Sequence, residues 1–168
     1  GASVPFYRSR ENSSDRAMTI PVLEEVVYDY KKRQQEFELL CCIYPTAPFI
    51  TADKLKTARA MLLEKEADAV VPIVRFSYPI QRALRIDGGF AKMFLPENYN
   101  VRSQDLEPAY HDCGQFYFMK TQSMLDQKVL FPRLTVPFEM PESEVQDIDN
   151  EEDWKIAEIK YKILKQII

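Results

Sequence analysis

At 168 residues, with 46% hydrophobic and 29% charged residues and a formal net charge of −4, the chain reads as one soluble globular domain with a substantial core. No basic run or patch stands out, which argues against a nucleic acid polymer as partner, and no apolar stretch approaches the ~20 residues that span a bilayer. Three cysteines, two of them adjacent in an apolar run, point to buried thiols in a reducing, cytoplasmic compartment rather than to a disulfide framework.

In chain order, the segment from about Thr19 to Glu36 has helical spacing, with Ile20, Leu23, Val27 and Tyr30 on one face. Ser14, Asp15 and Thr19 are candidate caps, and Pro21 fits a first turn. "FELLCCIY" (Phe37 to Tyr44) is a continuous apolar run of the kind expected in a buried central strand. Two prolines in "PTAPF" end it. A second helix over Thr51 to Glu66 places Leu55, Ala58 and Leu62 inward, and "ADAVVPIV" follows as a second buried strand. Strand, helix, strand is a βαβ unit, so a parallel sheet is expected. "LRIDGGFAKMF" predicts a hairpin around Asp87-Gly88-Gly89, and an irregular stretch rich in polar and aromatic residues runs on to Asp112. "GQFYFM" is a further strand, "LTVPF" a weak one and "VQDI" a last short one. An amphipathic helix over Glu151 to Ile168, with Trp154, Ala157, Tyr161 and Leu164 on one side, closes the chain.

Four glycines, Gly1, Gly88, Gly89 and Gly114, cannot make a glycine-rich phosphate loop. "CIYPTAPF" offers one hydroxyl, Thr46, in a loop that is also a plain strand-to-helix connection. The stretch "YNVRSQDLEPAYHDCGQFYF" concentrates Arg102, Gln104 and His111 among Tyr99, Tyr110 and Tyr117, and irregular loops of this kind are where recognition concentrates. Arg102 suits a two-pronged contact with a carboxylate, whereas a lone histidine more often serves in hydrogen bonding than in catalysis. In "EVQDIDNEEDW", Asp147 and Asp149 flank Ile148 and would share one face of an extended segment. Two such carboxylates fit a divalent cation with oxygen ligands. They also fit helix capping, since Asp149 or Asn150 can cap, and Glu151, Glu152 and Asp153 favour a helix N-terminus.

"YRSRENSSD", "CCIYPTAPF", "YPIQRALRI", "YNVRSQDLEPAYHDCGQFYF" and "VQDIDNEEDW" occur in this order and together resemble the acylneuraminate cytidylyltransferase family, on its pseudaminic acid side, over essentially the whole chain. The resemblance implies an α/β fold: a three-layer α/β/α Rossmann-like nucleotide-diphospho-sugar transferase domain. It also implies nucleotidyl transfer from CTP to a nonulosonic acid, with Mg²⁺ as cofactor and a homodimer as the assembly. It assigns Arg8, Thr19 and Thr46 to the nucleotide. It assigns Tyr44, Gln81, Arg82, Arg102, Gln104, His111 and Tyr117 to the sugar acid. Asp147 and Asp149 become the catalytic metal ligands. Tyr44 and Ala47 depart from the Q-P-T-S-P pattern more usual in the family's sialic acid enzymes, which points away from N-acetylneuraminate and toward a relative such as pseudaminic acid. Family members open with a strand and a glycine-rich loop that cradles the CTP phosphates. "GASVPF" resembles an internal family segment, so residues 1–168 are expected to form a single, N-terminally truncated domain of impaired activity. Within it, about 75–133 would supply the sugar pocket and the dimerisation insert. Two other classes share the D-x-D pattern or the missing loop: a metal-dependent glycosyltransferase, and a non-catalytic, dimeric sugar-binding fragment.

Overall fold

The computed structural model describes residues 2–166, and the chain falls into two units, Gly1–Pro72 with Gly114–Phe138, and Ile73–Cys113 with Glu139–Ile168. Its helices are α1 (Thr19–Lys32), α2 (Ala52–Glu64), α3 (Thr121–Gln127) and α4 (Glu151–Leu164). Its strands are β1 (Leu39–Ile43), β2 (Ala69–Arg75), β3 (Leu84–Asp87), β4 (Phe90–Met93), β5 (Tyr110–Asp112), β6 (Phe116–Lys120) and β7 (Thr135–Glu139).

The first unit has three layers, and the alternation of strand side chains shows why. On one face of the sheet, Ala69, Val71, Tyr117 and Met119 pack with Ile20, Leu23 and Val27 of α1 and with Met124 of α3. On the other face, Val70 and Phe116 pack with Ala58 and Leu62 of α2. The inward positions of α1 and α2 are therefore those expected from their spacing. Thr51 caps α2 by accepting a bond from the Lys54 amide at 3.3 Å.

The second unit holds the β3–β4 hairpin, in which Asp87 faces Phe90 across a two-residue turn. Gly88 and Gly89 there have φ of +59° and +84°, which this turn requires and which a side chain at either position would oppose. The end of β2 pairs antiparallel with β5, with Val74 opposite His111. Asn150 caps α4 by accepting bonds from the amides of Glu152 (2.9 Å) and Asp153 (3.1 Å), and Asp153 returns a bond from the Asn150 amide. Of the two candidate caps for this helix, Asn150 is the one used.

Several expectations need correction. β1 and β2 run in the same direction but are not neighbours, because β6 pairs antiparallel with each of them. β1 is half-buried rather than central, and β6 is its one strand partner among the described residues. Met18 occupies the N-cap of α1 with no capping side chain, since the Thr19 hydroxyl bonds Tyr44 and the Ser14 hydroxyl bonds the Glu11 carbonyl. Residues 145–148 are not a strand. Their backbone is met by α4 instead: Lys160 Nζ donates to the Val145 carbonyl at 2.6 Å and to Gln146 Oε1 at 3.1 Å. α4 buries Ala157, while Trp154, Tyr161 and Leu164 stay exposed. Ile167 and Ile168, at the end of the expected helix, lie outside the described residues. The short helix α3 was not expected, because "TQSMLDQ" is largely polar and buries only Thr121 and Met124.

Candidate active site

In the first unit, the loop after β1 brings three of the expected residues together. Tyr44 Oη and Thr19 Oγ1 lie 2.7 Å apart, at the start of α1. The Tyr44 ring packs on Tyr117 with centroids 5.4 Å apart, and Tyr117 is buried. The Tyr44 amide donates to the Gln115 carbonyl at 3.0 Å, which fixes the backbone where the strand ends. Thr46 is exposed two residues on, and Arg8 is exposed on the segment that precedes α1.

In the second unit, a cavity of about 510 Å³ is lined by Arg75, Phe76, Ser103, Gln104, Glu107 and Glu142 among others. That volume falls in the ordinary range for small-molecule sites. Gln104 lies in its wall. Gln81 and Arg82 reach it through wall residues: Gln81 Nε2 donates to the Glu107 carbonyl at 2.8 Å, and Arg82 Nη1 donates to Ser103 Oγ at 3.4 Å. Gln81 Oε1 is buried with no bond made to it. His111 packs its ring on Phe76 at 4.7 Å, and its Nδ1 lies 2.7 Å from the Asp112 carbonyl. Arg102 makes the expected two-pronged contact, but with Asp105 of its own loop, at 2.9 and 3.2 Å. That contact raises the guanidinium's already high pKa.

Asp147 and Asp149 are exposed on either side of the half-buried Ile148, in a segment that is not a strand. The Asp147 carboxyl is raised above its ordinary value, by burial first, then by the charge of Asp149 and, further off, of Asp112. Crowded carboxylates of this kind are what a hard divalent cation relieves, and Mg²⁺ needs only one or two protein carboxylates. Among the described residues, no group of three or more His, Cys, Asp or Glu side chains forms a closed metal cage.

No protein-family model matches the chain. It is similar to the pseudaminic acid cytidylyltransferase of Campylobacter jejuni subsp. jejuni serotype O:2, at 34% identity over 164 residues that cover 97% of this chain and 71% of that protein. The pseudaminic acid cytidylyltransferase of Campylobacter jejuni subsp. jejuni serotype O:23/36 is 33% identical over the same shares of the two chains. Further away, the N-acylneuraminate cytidylyltransferase of Streptococcus agalactiae serotype V is 27% identical over 92% of this chain and 36% of that protein. The chain belongs to the acylneuraminate cytidylyltransferase family. By family it is a nucleotidyltransferase, and the mixed α/β architecture agrees with that membership.

Burial pushes Cys41 and Cys113 up to about 12, so neither supplies a thiolate at neutral pH. Motif reading assigns no partner to three acids that the fold puts to use. Asp105 engages Arg102, Asp112 acts on Asp147 across 35 positions of chain, and Glu25 gathers the segment around Arg8. Only Asp105 was within reach of local spacing, since an i,i+3 acid is a natural partner for an arginine.

Proposed function

We propose that this cytidylyltransferase activates a nonulosonic acid of the pseudaminic acid kind by transfer of CMP from CTP, in the cytoplasm and as a homodimer. The reading rests chiefly on the 34% identity that runs across 97% of the chain to a pseudaminic acid cytidylyltransferase. In this reaction the sugar's anomeric hydroxyl oxygen bonds to the α-phosphorus, the α–β phosphoanhydride bond breaks, and pyrophosphate leaves. Such chemistry depends on positioning and on stabilising phosphate charge.

Arg8, Thr19 and Thr46 bind the nucleotide in this reading. The 2.7 Å contact between Thr19 and Tyr44 then joins a nucleotide residue to a sugar-acid residue. Buried Tyr117 backs Tyr44 and orients it. In the second unit, Gln104 lines the cavity, Gln81 and Arg82 bond its wall residues Glu107 and Ser103, His111 packs on its lining residue Phe76, and in this reading the four bind the sugar acid. Arg102 binds the sugar carboxylate by exchanging it for Asp105, an isosteric partner. Asp147 and Asp149 hold Mg²⁺, which when bound neutralises charge at the α-phosphate.

The dimer is supported by the β3–β4 hairpin, where Leu84 is 61% and Ile86 85% exposed at alternate positions of β3 and so on one face of the ribbon. Apolar side chains presented together at that level mark an interaction surface. The three free cysteines suit a reducing compartment, and no helix among the described residues is long and apolar enough to cross a membrane. The test is pyrophosphate release by the full-length protein from CTP and Mg²⁺, with pseudaminic acid and N-acetylneuraminic acid compared as acceptors. Release with pseudaminic acid supports the reading, and release confined to N-acetylneuraminic acid overturns the choice of sugar.

A further inference from the structure

Glu25 lies on α1, a helix whose apolar face is spent on the core, yet its carboxylate is fully engaged with a different segment. Its oxygens accept bonds from the Ser9 amide, from Ser9 Oγ at 2.8 Å and from Asn12 Nδ2. Asn12 Nδ2 also donates to the Pro21 carbonyl at 3.3 Å, and the Asn12 amide donates to Ser9 Oγ at 3.2 Å. The remaining bonds of this stretch are local, such as Ser14 Oγ to the Glu11 carbonyl. These donors hold the Glu25 carboxyl below the usual carboxylate range, the Ser9 amide most strongly, with the Arg8 charge adding to the same effect.

The other flank of Arg8 is fixed as well. Phe6 packs edge-on against Tyr30 of α1 at 5.0 Å, and the Arg33 guanidinium lies over its ring at 5.4 Å. Arg8 is therefore an exposed cation on a span of one or two residues, tied to α1 before and after it. A charged side chain needs no such anchoring to dissolve in water. It needs it to meet a ligand without first ordering its backbone, since preorganisation removes that part of the cost of binding.

We propose that Glu25 is a positioning residue that holds Arg8 for the nucleotide, a role that rests on the nucleotide-binding role given to Arg8 above. Glu25 does not touch the nucleotide. It acts by fixing the Ser9–Asn12 backbone next to the residue that does.

Steady-state kinetics of the full-length protein with CTP and pseudaminic acid test this in the variants Glu25→Ala, Glu25→Gln, Arg8→Ala and the Glu25→Ala/Arg8→Ala double. Glu25→Ala should raise KM for CTP about tenfold, the scale of ordering one backbone residue, with kcat within about twofold. Glu25→Gln keeps one carbonyl acceptor and should recover part of the loss. The double variant should be no worse than Arg8→Ala, because two members of one device do not add. Additive effects, a fall in kcat at constant KM, or an unchanged KM for Glu25→Ala would overturn the positioning role. Arg8→Ala separates the two claims. If it leaves KM for CTP unchanged, the nucleotide reading of Arg8 fails and takes this inference with it. If it raises KM while Glu25→Ala does not, the inference alone fails. Should Glu25→Ala not fold, Ser9→Ala with Asn12→Ala removes the two side-chain bonds from the other end, leaves the Ser9 amide bond in place and must give a smaller rise in KM for CTP, and an unchanged KM there would overturn the positioning role.

Discussion

The hydroxyls of Thr19 and Tyr44 lie 2.7 Å apart, which joins the first turn of α1 to the loop that follows β1. This one bond accounts for the Thr19 hydroxyl, which does not cap its own helix, and it fixes Tyr44 at the start of its loop. Tyr44→Phe removes the bond and leaves the packing on Tyr117 in place. It should cost about 0.5–1.5 kcal/mol, the usual net worth of such a bond. Urea unfolding checks this, and an unchanged midpoint would show that the two hydroxyls do as well with water.

The acids near the C-terminus divide into two groups with different expected behaviour. In the full-length protein, Asp147→Asn and Asp149→Asn should each lower turnover by about a hundredfold or more, the scale of losing one electrostatic stabiliser of the transition state. Stability should hold or rise, because each change relieves repulsion between the two carboxylates. Asn150→Ala should do the reverse, costing about 1 kcal/mol through loss of the cap with turnover kept. Glu152→Gln should cost about 0.3–1 kcal/mol. Turnover and melting temperature for the four variants settle the matter, and full activity with early melting in the two aspartate variants would reduce Asp147 and Asp149 to structural residues.

Acid stability should depend on Asp68. Its carboxylate accepts bonds from Ser123 Oγ (2.7 Å), Gln127 Nε2 (3.0 Å) and the Leu134 amide (3.3 Å). Those bonds lower its pKa, the Ser123 hydroxyl foremost. A depressed folded-state pKa adds stability above the unfolded value near ~3.9, and that contribution is lost as pH falls through the folded value. Asp68→Asn should therefore be less stable than the parent at pH 7, and the gap should close as pH drops below about 4. A gap that stays constant across denaturation curves from pH 7 to pH 3 would contradict the linkage.

The hairpin makes a separate prediction. Leu84→Asp and Ile86→Asp place charge on its exposed apolar face and should convert a sedimenting dimer to monomer without loss of fold. A parent protein that sediments as monomer at micromolar concentration would remove the proposal.

Much of this was legible in the residues. The i, i+3, i+7 spacing of Leu55, Ala58 and Leu62 fixes which face of α2 is buried, and Asp87-Gly88-Gly89 specifies a tight turn because only glycine takes those dihedrals cheaply. "VQDI" misled because its alternation fits a strand, while its actual backbone partner is Lys160, fifteen positions beyond Val145. "LLCCI" misled in the same way, since an apolar run shows that a strand is covered but not how many strands flank it. The Asp105 contact that occupies Arg102 depends on local geometry, and the effect of Asp112 on Asp147 depends on a fold that joins distant positions. The first is within reach of i,i+3 spacing, and the second is not.

The account turns on nucleotidyl transfer to a free sugar acid, and pyrophosphate release by the full-length protein is its most direct measure. With CTP, Mg²⁺ and pseudaminic acid, the account predicts one pyrophosphate for each CMP-sugar formed, and neither product when the sugar acid is left out. No pyrophosphate with any nonulosonic acid, together with sugar transfer from a nucleotide sugar to an acceptor, would contradict it and show the Asp147–Asp149 pair to serve a glycosyltransferase.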